Sequence, residues 1–276
     1  MDLGEKLNEL YLKYNDRKYV HPDPLEFLYN YPDLKDREIA GLIAALLAYG
    51  RVSQILKSVS SVLNILSEPF DYLKSSKEKD IFNDFKNFKH RFTDGKDLAN
   101  LLVSIKEIIN EYGSLNNCFY ELYKKYNISI NATNSINYNS HNTILDSLRV
   151  FIKKLIEKNK NGCNSLLSNP DGSSAFKRFN LYLRWMVRKD NVDPGGWDNI
   201  PSSKLIVPLD THMYKICCNL RFTTKKQANI KAALDITEVF RSFAPDDPVK
   251  FDFSLTRLGM NKENDLILLL KESLVN

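Results

Sequence analysis

The stretch Asp36–Leu56, DREIAGLIAALLAYGRVSQIL, decides the fold class of this chain. Within it, Gly41–Ala48 is apolar on nearly every side, which is typical of a helix buried between other helices. Helical spacing of apolar residues recurs on both sides of this segment, at Leu3, Leu7, Leu10, Tyr11 and Tyr14, and at Ile55, Val59, Val62, Leu63 and Leu66. The sequence therefore predicts an all-α protein with this helix in the core of its first lobe.

The same spacing predicts helices along most of the remaining chain. They are expected at Ile81–Phe88, Leu98–Tyr112, Leu115–Tyr126, Ile144–Glu157, Ser174–Arg188, Asp210–Leu220, Gln227–Phe243 and Pro248–Leu258. Only Lys204–Val207 has an extended pattern. Asn127–Asn142 has six asparagines in sixteen residues and no periodicity, which predicts a flexible loop. We expect residues 1–276 to form one two-lobed unit with a central cleft, its lobes at 36–160 and 172–260 plus N-terminal helices.

Composition excludes several classes of protein. Of 276 residues, 43% are apolar and 26% charged, as in globular proteins and unlike disordered chains. The four cysteines have no CxxC spacing, so neither a zinc site nor a disulfide framework is expected, and no cofactor is indicated.

The N-terminal segment lacks a signal-peptide pattern, and the longest apolar stretch, Ile39–Tyr49, is too short to span a bilayer. We therefore expect a cytoplasmic protein without a membrane partner.

Positive charge is concentrated in one segment. Gly172–Lys226 contains ten basic and four acidic residues, a net of +6, whereas the rest of the chain has 29 basic and 30 acidic residues. Clustered Lys and Arg are the usual electrostatic mark of a surface that binds phosphate.

Within this segment Val207–Ile216, VPLDTHMYKI, has Asp210 immediately before a helical pattern, which is typical of an N-cap. A capped carboxylate is also a fixed negative charge, so a structural and a catalytic role are both open for Asp210.

The string VPLDTHMYKI resembles the segment of the helix-hairpin-helix DNA glycosylase superfamily whose aspartate drives removal of a damaged base. Residues 176–259 are similar to an uncharacterised prokaryotic family placed beside that superfamily, and the stretch beginning at Asp36 resembles its buried helix and DNA-facing turn. The superfamily's L-P-G-V-G-x-K hairpin is missing, as is its iron–sulfur cysteine loop, so no cluster is expected and the usual DNA anchor is absent. Archaeal 8-oxoguanine DNA glycosylases also lack that hairpin and place a lysine some thirty residues before the aspartate. By this resemblance Lys177, 33 positions before Asp210, matches the nucleophile.

The resemblance implies a base-excision glycosylase with abasic-site lyase activity, acting as a monomer on duplex DNA and removing oxidised guanine through a lysine Schiff base. A fixed carboxylate would stabilise an oxocarbenium ion, and a neutral amine could attack C1′. The alternatives are a non-catalytic nucleic-acid-binding protein on the same scaffold and an interaction protein without a nucleic-acid partner. Lys177 could equally be an exposed helix lysine. The expected substrate-binding residues are Arg51, Arg184, Arg188, Trp197 and His212, with Trp197 as the aromatic for an everted base.

Overall fold

The computed structural model describes residues 2–128, 143–159 and 164–258. The prediction of an all-α fold is confirmed, because every long element in these ranges is a helix. The contacts divide the chain into two compact units. The middle unit is Pro22–Gly172, and the terminal unit combines Met1–His21 with Ser173–Asn276.

The middle unit is a helical assembly. A 3-10 segment, Pro24–Asn30, precedes its helices, which are α2 (Leu34–Leu46), α3 (Val52–Leu66), α4 (Pro69–Ser75), α5 (Glu78–Asp84), α6 (Gly95–Tyr112), α7 (Leu115–Ile128) and α8 (Leu145–Lys158). Every residue from Ile39 to Leu46 is fully buried, as the nearly all-apolar pattern predicts. The helix α8 packs against α6 and α7. The side chain of Glu38, buried beside this core, accepts hydrogen bonds from the amides of Leu115 (2.6 Å) and Asn116 (3.0 Å) and so satisfies the first turn of α7.

A short hairpin, which the sequence pattern does not predict, lies between α5 and α6. Its strands are β1 (Lys89–His90) and β2 (Thr93–Asp94), paired antiparallel. They are too short to show alternation of apolar and polar residues. Directly after β2, Gly95 begins α6, and a Cβ at this position would lie 2.0 Å from the carbonyl oxygen of Phe85. Glycine is therefore required for this close approach.

The terminal unit joins the two ends of the chain. Its helices are α1 (Leu3–Tyr14), α9 (Lys177–Val187), α10 (Thr211–Asn219) and α11 (Ile230–Phe243), with short 3-10 turns at Arg17–Tyr19 and Ser202–Lys204. Residues 252–258 are also helical. Two bonds across more than 170 positions hold α1 in this unit, from Tyr11 to Asp190 (3.1 Å) and from Lys250 to Asn8 (2.8 Å).

Several boundaries differ from the predicted ones. The helix expected from Ser174 starts at Lys177, because Phe176 is left-handed (φ 49°) and cannot belong to the helix. The segment expected to be extended, Lys204–Val207, ends a 3-10 turn and then runs without strand pairing. The first two residues of the predicted loop Asn127–Asn142 belong to α7, and the rest lies outside the described residues. None of the described helices is both long and apolar enough to cross a membrane.

Candidate functional site

Asp210 is the N-cap of α10, as the sequence predicts. Its backbone is extended (φ −105°, ψ −177°), and its Oδ1 accepts a hydrogen bond of 2.9 Å from the amide of Met213. The segment before it is buried from Leu205 to Leu209, and the amide of Val207 donates to Oγ1 of Thr237 on α11 (3.1 Å). The carboxylate is half-buried, and within the described residues its Oδ2 accepts no hydrogen bond. In the part of the chain that the structure describes, Asp210 is thus a positioned carboxylate with one oxygen bound to the helix and the other without a partner.

Lys177 is the first residue of α9. The chain just before it is tied to the start of α11, where the amide of Ile230 donates to the carbonyl of Ser173 (3.0 Å). The Lys177 side chain is half-buried and forms neither a hydrogen bond nor an ion pair with any residue in the described ranges. An ammonium group at this end of a helix faces the positive end of the helix dipole, an unfavourable position for a cation. Lys177 is therefore a positioned amine without a protein partner in the part of the chain described.

A third residue, Asp252, feels the charge of both Lys177 and Asp210. It is 4% exposed and accepts a hydrogen bond from Nη1 of Arg184 (2.5 Å). Burial raises the pKa of Asp252 to about 6, against the lowering effect of Arg184. The negative charge of Asp210 raises this pKa further and the positive charge of Lys177 lowers it, so both groups lie close enough to act on one carboxylate. Sequence reasoning missed Asp252, whose only signal is its place in DPVKFDFSLTRLG.

Arg184 and Arg188, predicted to contact DNA, instead form a buried ion cluster. Arg184 donates from Nε and Nη2 to Oδ1 of Asp193 (3.2 and 3.0 Å), in addition to its bond with Asp252. Arg188 binds Asp190 (2.9 Å), Asp247 (3.0 Å) and Asp193. Both arginine side chains are 4% exposed. Carboxylates occupy both guanidinium groups, so these arginines hold the terminal unit together and do not offer their charge to phosphate.

Trp197, the predicted aromatic for an everted base, belongs to the core. Its ring is fully buried and meets Tyr182 edge to face, with centroids 5.3 Å apart. The loop folds back onto α9 at Gly195 and Gly196, which have φ of 67° and 130°, and the amide of Trp197 donates to the carbonyl of Met186 (2.8 Å). A side chain packed in this way presents no face to a base, and the predicted role is corrected to a structural one.

The comparisons with known proteins give one match. The model of a family described as a protein of unknown function, DUF2400, matches residues 23–261. The chain belongs to the DUF2400 family. The matched range contains Lys177, Asp210 and Asp252, and it begins after α1. No curated protein matches the chain, and no solved structure matches it.

Two of the predicted binding residues of this DUF2400 member are accessible to a ligand. His212 is exposed in the first turn of α10, two residues after Asp210. Arg51 is exposed in the middle unit, where it follows the left-handed Gly50 (φ 103°) and occupies the N-cap position of α3. Its guanidinium makes no capping bond. These two positions keep the solvent access that contact with a nucleic acid requires.

Metal ligation was not predicted for any residue of this chain. Among residues 2–128, 143–159 and 164–258, no group of three or more His, Cys, Asp or Glu side chains is arranged to hold a metal ion. Cys118 and Cys217 are buried thiols, and burial raises the pKa of Cys118 to about 12. Such thiols are inert packing groups.

Proposed function

We propose that this DUF2400 member is a base-excision DNA glycosylase with abasic-site lyase activity, and that oxidised guanine is its base. Lys177 is the nucleophile and Asp210 the essential carboxylate. The observation that carries the proposal is the placement of the two groups: Asp210 caps α10 through one carboxylate oxygen, and Lys177 is the half-buried first residue of α9. Lys177 begins α9 and Asp210, 33 positions later, caps α10, and among the described residues each has a polar atom without a hydrogen-bond partner.

The chemistry follows from these two groups. Lys177 first gives the proton of its ammonium group to solvent water. The lone pair of the resulting amine forms a bond to C1′ while the glycosidic bond breaks, and the base leaves with the electron pair of the glycosidic bond and takes up a proton from solvent. The carboxylate of Asp210 stabilises the positive charge that develops at the sugar. Loss of a proton from Nζ and opening of the C1′–O4′ bond, with a proton passing to O4′, give a protonated Schiff base.

Strand cleavage is the next step. A water molecule takes a C2′ proton from the Schiff base, and the 3′ phosphate leaves with the C3′–O electron pair. A second water then hydrolyses the imine to regenerate the Lys177 amine. The carboxylate of Asp252, bound to Arg184, is a buried part of the same unit and takes no direct part in these steps. In this proposal His212 and Arg51 contact phosphates, and the protein acts as a cytoplasmic monomer on duplex DNA.

Borohydride trapping tests the proposal, because reduction converts a Schiff base into a stable covalent adduct. We expect the wild type to form an adduct on a duplex containing 8-oxoguanine or an abasic site, and Lys177→Ala to form none. Duplexes with uracil and thymine glycol test the choice of base. Lys231→Ala is the matched control, since Lys231 is exposed in the first turn of α11, beside the chain that leads into α9.

The outcomes separate the two functional classes. An adduct that survives in Lys177→Ala would refute the assignment of the nucleophile. If no duplex yields an adduct or a released base, yet binding to DNA weakens with salt, the chain is a non-catalytic nucleic-acid-binding protein. In that case Asp210 is a helix cap only.

A further inference from the structure

The turn of the β1–β2 hairpin presents an aromatic ring to solvent. Its two residues are Arg91 and Phe92, and Phe92 is 73% exposed. The other large apolar side chains exposed in the described part of the chain are Leu12 and Ile65. Both of these lie on helix surfaces, whereas Phe92 lies in a hairpin turn, where one face of its ring is open to a ligand.

Arg91 has an unusual backbone conformation and packs against the aromatic rings of the turn. Its φ of 53° is left-handed, a conformation that a hairpin turn normally assigns to glycine or asparagine. The guanidinium carbon lies 5.4 Å from the ring centroid of Phe92 and 6.0 Å from that of Tyr49. The same side chain packs on Gly50, where a Cβ would lie 2.7 Å from Cδ of Arg91. The cation therefore bridges the hairpin and the turn that leads to Arg51.

Polar bonds join the hairpin to α3 and to the turn around Tyr49. The ring of His90 is hydrogen-bonded to Oγ of Ser58 (2.9 Å) and to the carbonyl of Tyr49 (3.1 Å). The hydroxyl of Tyr49 is 2.6 Å from Oγ1 of Thr93, which in turn bonds to Ser165. The strands on both sides of Phe92 are thus held in place without a ligand, which lowers the entropic cost of binding.

Several exposed cations lie near this ring. Between Lys86 and Lys96 the chain has four basic residues and one acidic residue, Asp94, whose carboxylate caps α6. Lys89 in β1 and Arg91 in the turn are exposed, as is Asp94, which pairs with Lys89 across the hairpin. Arg51 adds an exposed cation next to Gly50. An accessible aromatic ring among cations that can track a backbone is the arrangement that binds single-stranded nucleic acid, by base stacking and phosphate contact.

We propose that the hairpin tip is a binding site for unpaired nucleotides of single-stranded DNA, with one base stacked on Phe92 and phosphates held by Arg51 and Lys89. The site belongs to the middle unit and does not depend on the lyase chemistry of Lys177. It adds a second mode of DNA contact to the proposed function, one that undamaged single strands suffice to detect.

The test uses the full-length protein and a single-stranded oligodeoxythymidylate without any lesion. In Phe92→Trp, a tryptophan replaces the stacking ring, and we expect its fluorescence to be quenched on binding while affinity is retained. Phe92→Ala should weaken binding about tenfold, the effect of losing one stacked base. Ile65→Ala is the matched control, since it also removes an exposed apolar side chain from the middle unit, and its affinity should equal that of the wild type.

The salt dependence of binding tests the proposed phosphate contacts. The slope of log affinity against log salt should fall by about 0.7 in Arg51→Ala and in Lys89→Ala, one released counterion for each residue on a single strand. The proposal is overturned if Phe92→Ala binds as tightly as the wild type, or if saturating oligonucleotide leaves the Phe92→Trp fluorescence unchanged. Loss of trapping in Lys177→Ala alongside intact single-strand binding would support this site independently of the lyase proposal.

Discussion

Nη1 of Arg184 donates to Oδ2 of Asp252 at 2.5 Å, and both side chains are 4% exposed. Arg184 also binds Asp193, which Arg188 shares. Asp190 and Asp247 complete the cluster, which therefore contains two buried guanidinium groups and four carboxylates. Burial accordingly raises the pKa of Asp193, Asp247 and Asp252, while Arg188 and two backbone amides hold that of Asp190 low.

The first prediction concerns the loss of one cation from this cluster. Arg184→Met should lower the free energy of unfolding by about 3–5 kcal/mol, because it leaves Asp193 and Asp252 buried with one counter-charge fewer. Urea unfolding followed by circular dichroism measures the change. Lys231→Ala, which removes an exposed helix cation from the same unit, should change stability by less than about 0.5 kcal/mol. Equal effects of the two substitutions would contradict the structural role of the cluster.

A second prediction follows from the pKa of Asp252, which is about 6 in the folded protein and about 3.9 in an unfolded chain. Because the folded state holds this proton more tightly, Asp252 contributes stability that is full below about pH 4 and lost as the pH rises through about 6. Asp252→Asn removes this dependence.

The measurement is the stability of the wild type minus that of Asp252→Asn, determined by urea unfolding from pH 4 to pH 7. This difference should fall with rising pH by an amount on the order of 3 kcal/mol, at about 1.4 kcal/mol for each pKa unit. The other carboxylates are present in both proteins, so their titration largely cancels. A difference that rises over this range would contradict the raised pKa.

Trp197 gives a third prediction, which separates core packing from ligand contact. Trp197→Ala should destabilise the protein by about 3–5 kcal/mol, since it empties a fully buried site beside Tyr182. Trp197→Phe should cost less and leave trapping on lesion-containing duplexes unchanged at a temperature where it is folded. If Trp197→Phe loses activity while its unfolding midpoint stays near that of the wild type, the ring has a role in the site.

Local patterns predict much of this fold. Apolar spacing predicts α2, α6, α8 and α11, and the polar residue before an apolar run predicts Asp210 as a cap. Both signals depend on neighbours within a turn or two of helix, which the sequence displays directly.

Other features depend on partners far along the chain. The sequence presents Arg184 and Arg188 as part of a basic segment, and only the fold brings Asp247 and Asp252 to them, from about 60 residues away. Trp197 lies in a loop rich in Gly, Pro and Ser, and its burial depends on the turn at Gly195 and Gly196. The spacing of apolar residues along the sequence does not reveal either feature, because each depends on tertiary contacts.

The last prediction separates the two roles of Asp210. Asn is about as good an N-cap as Asp, so Asp210→Asn should keep the hydrogen bond to the amide of Met213 and unfold within about 0.5 kcal/mol of the wild type. Asp210→Ala should lose the cap and cost about 1 kcal/mol. Both variants lack the negative charge, so both should lose base release in single-turnover assays by a similar factor of at least a hundredfold. If Asp210→Asn retains full activity, the charge is not used, and the contribution of Asp210 is confined to the start of α10.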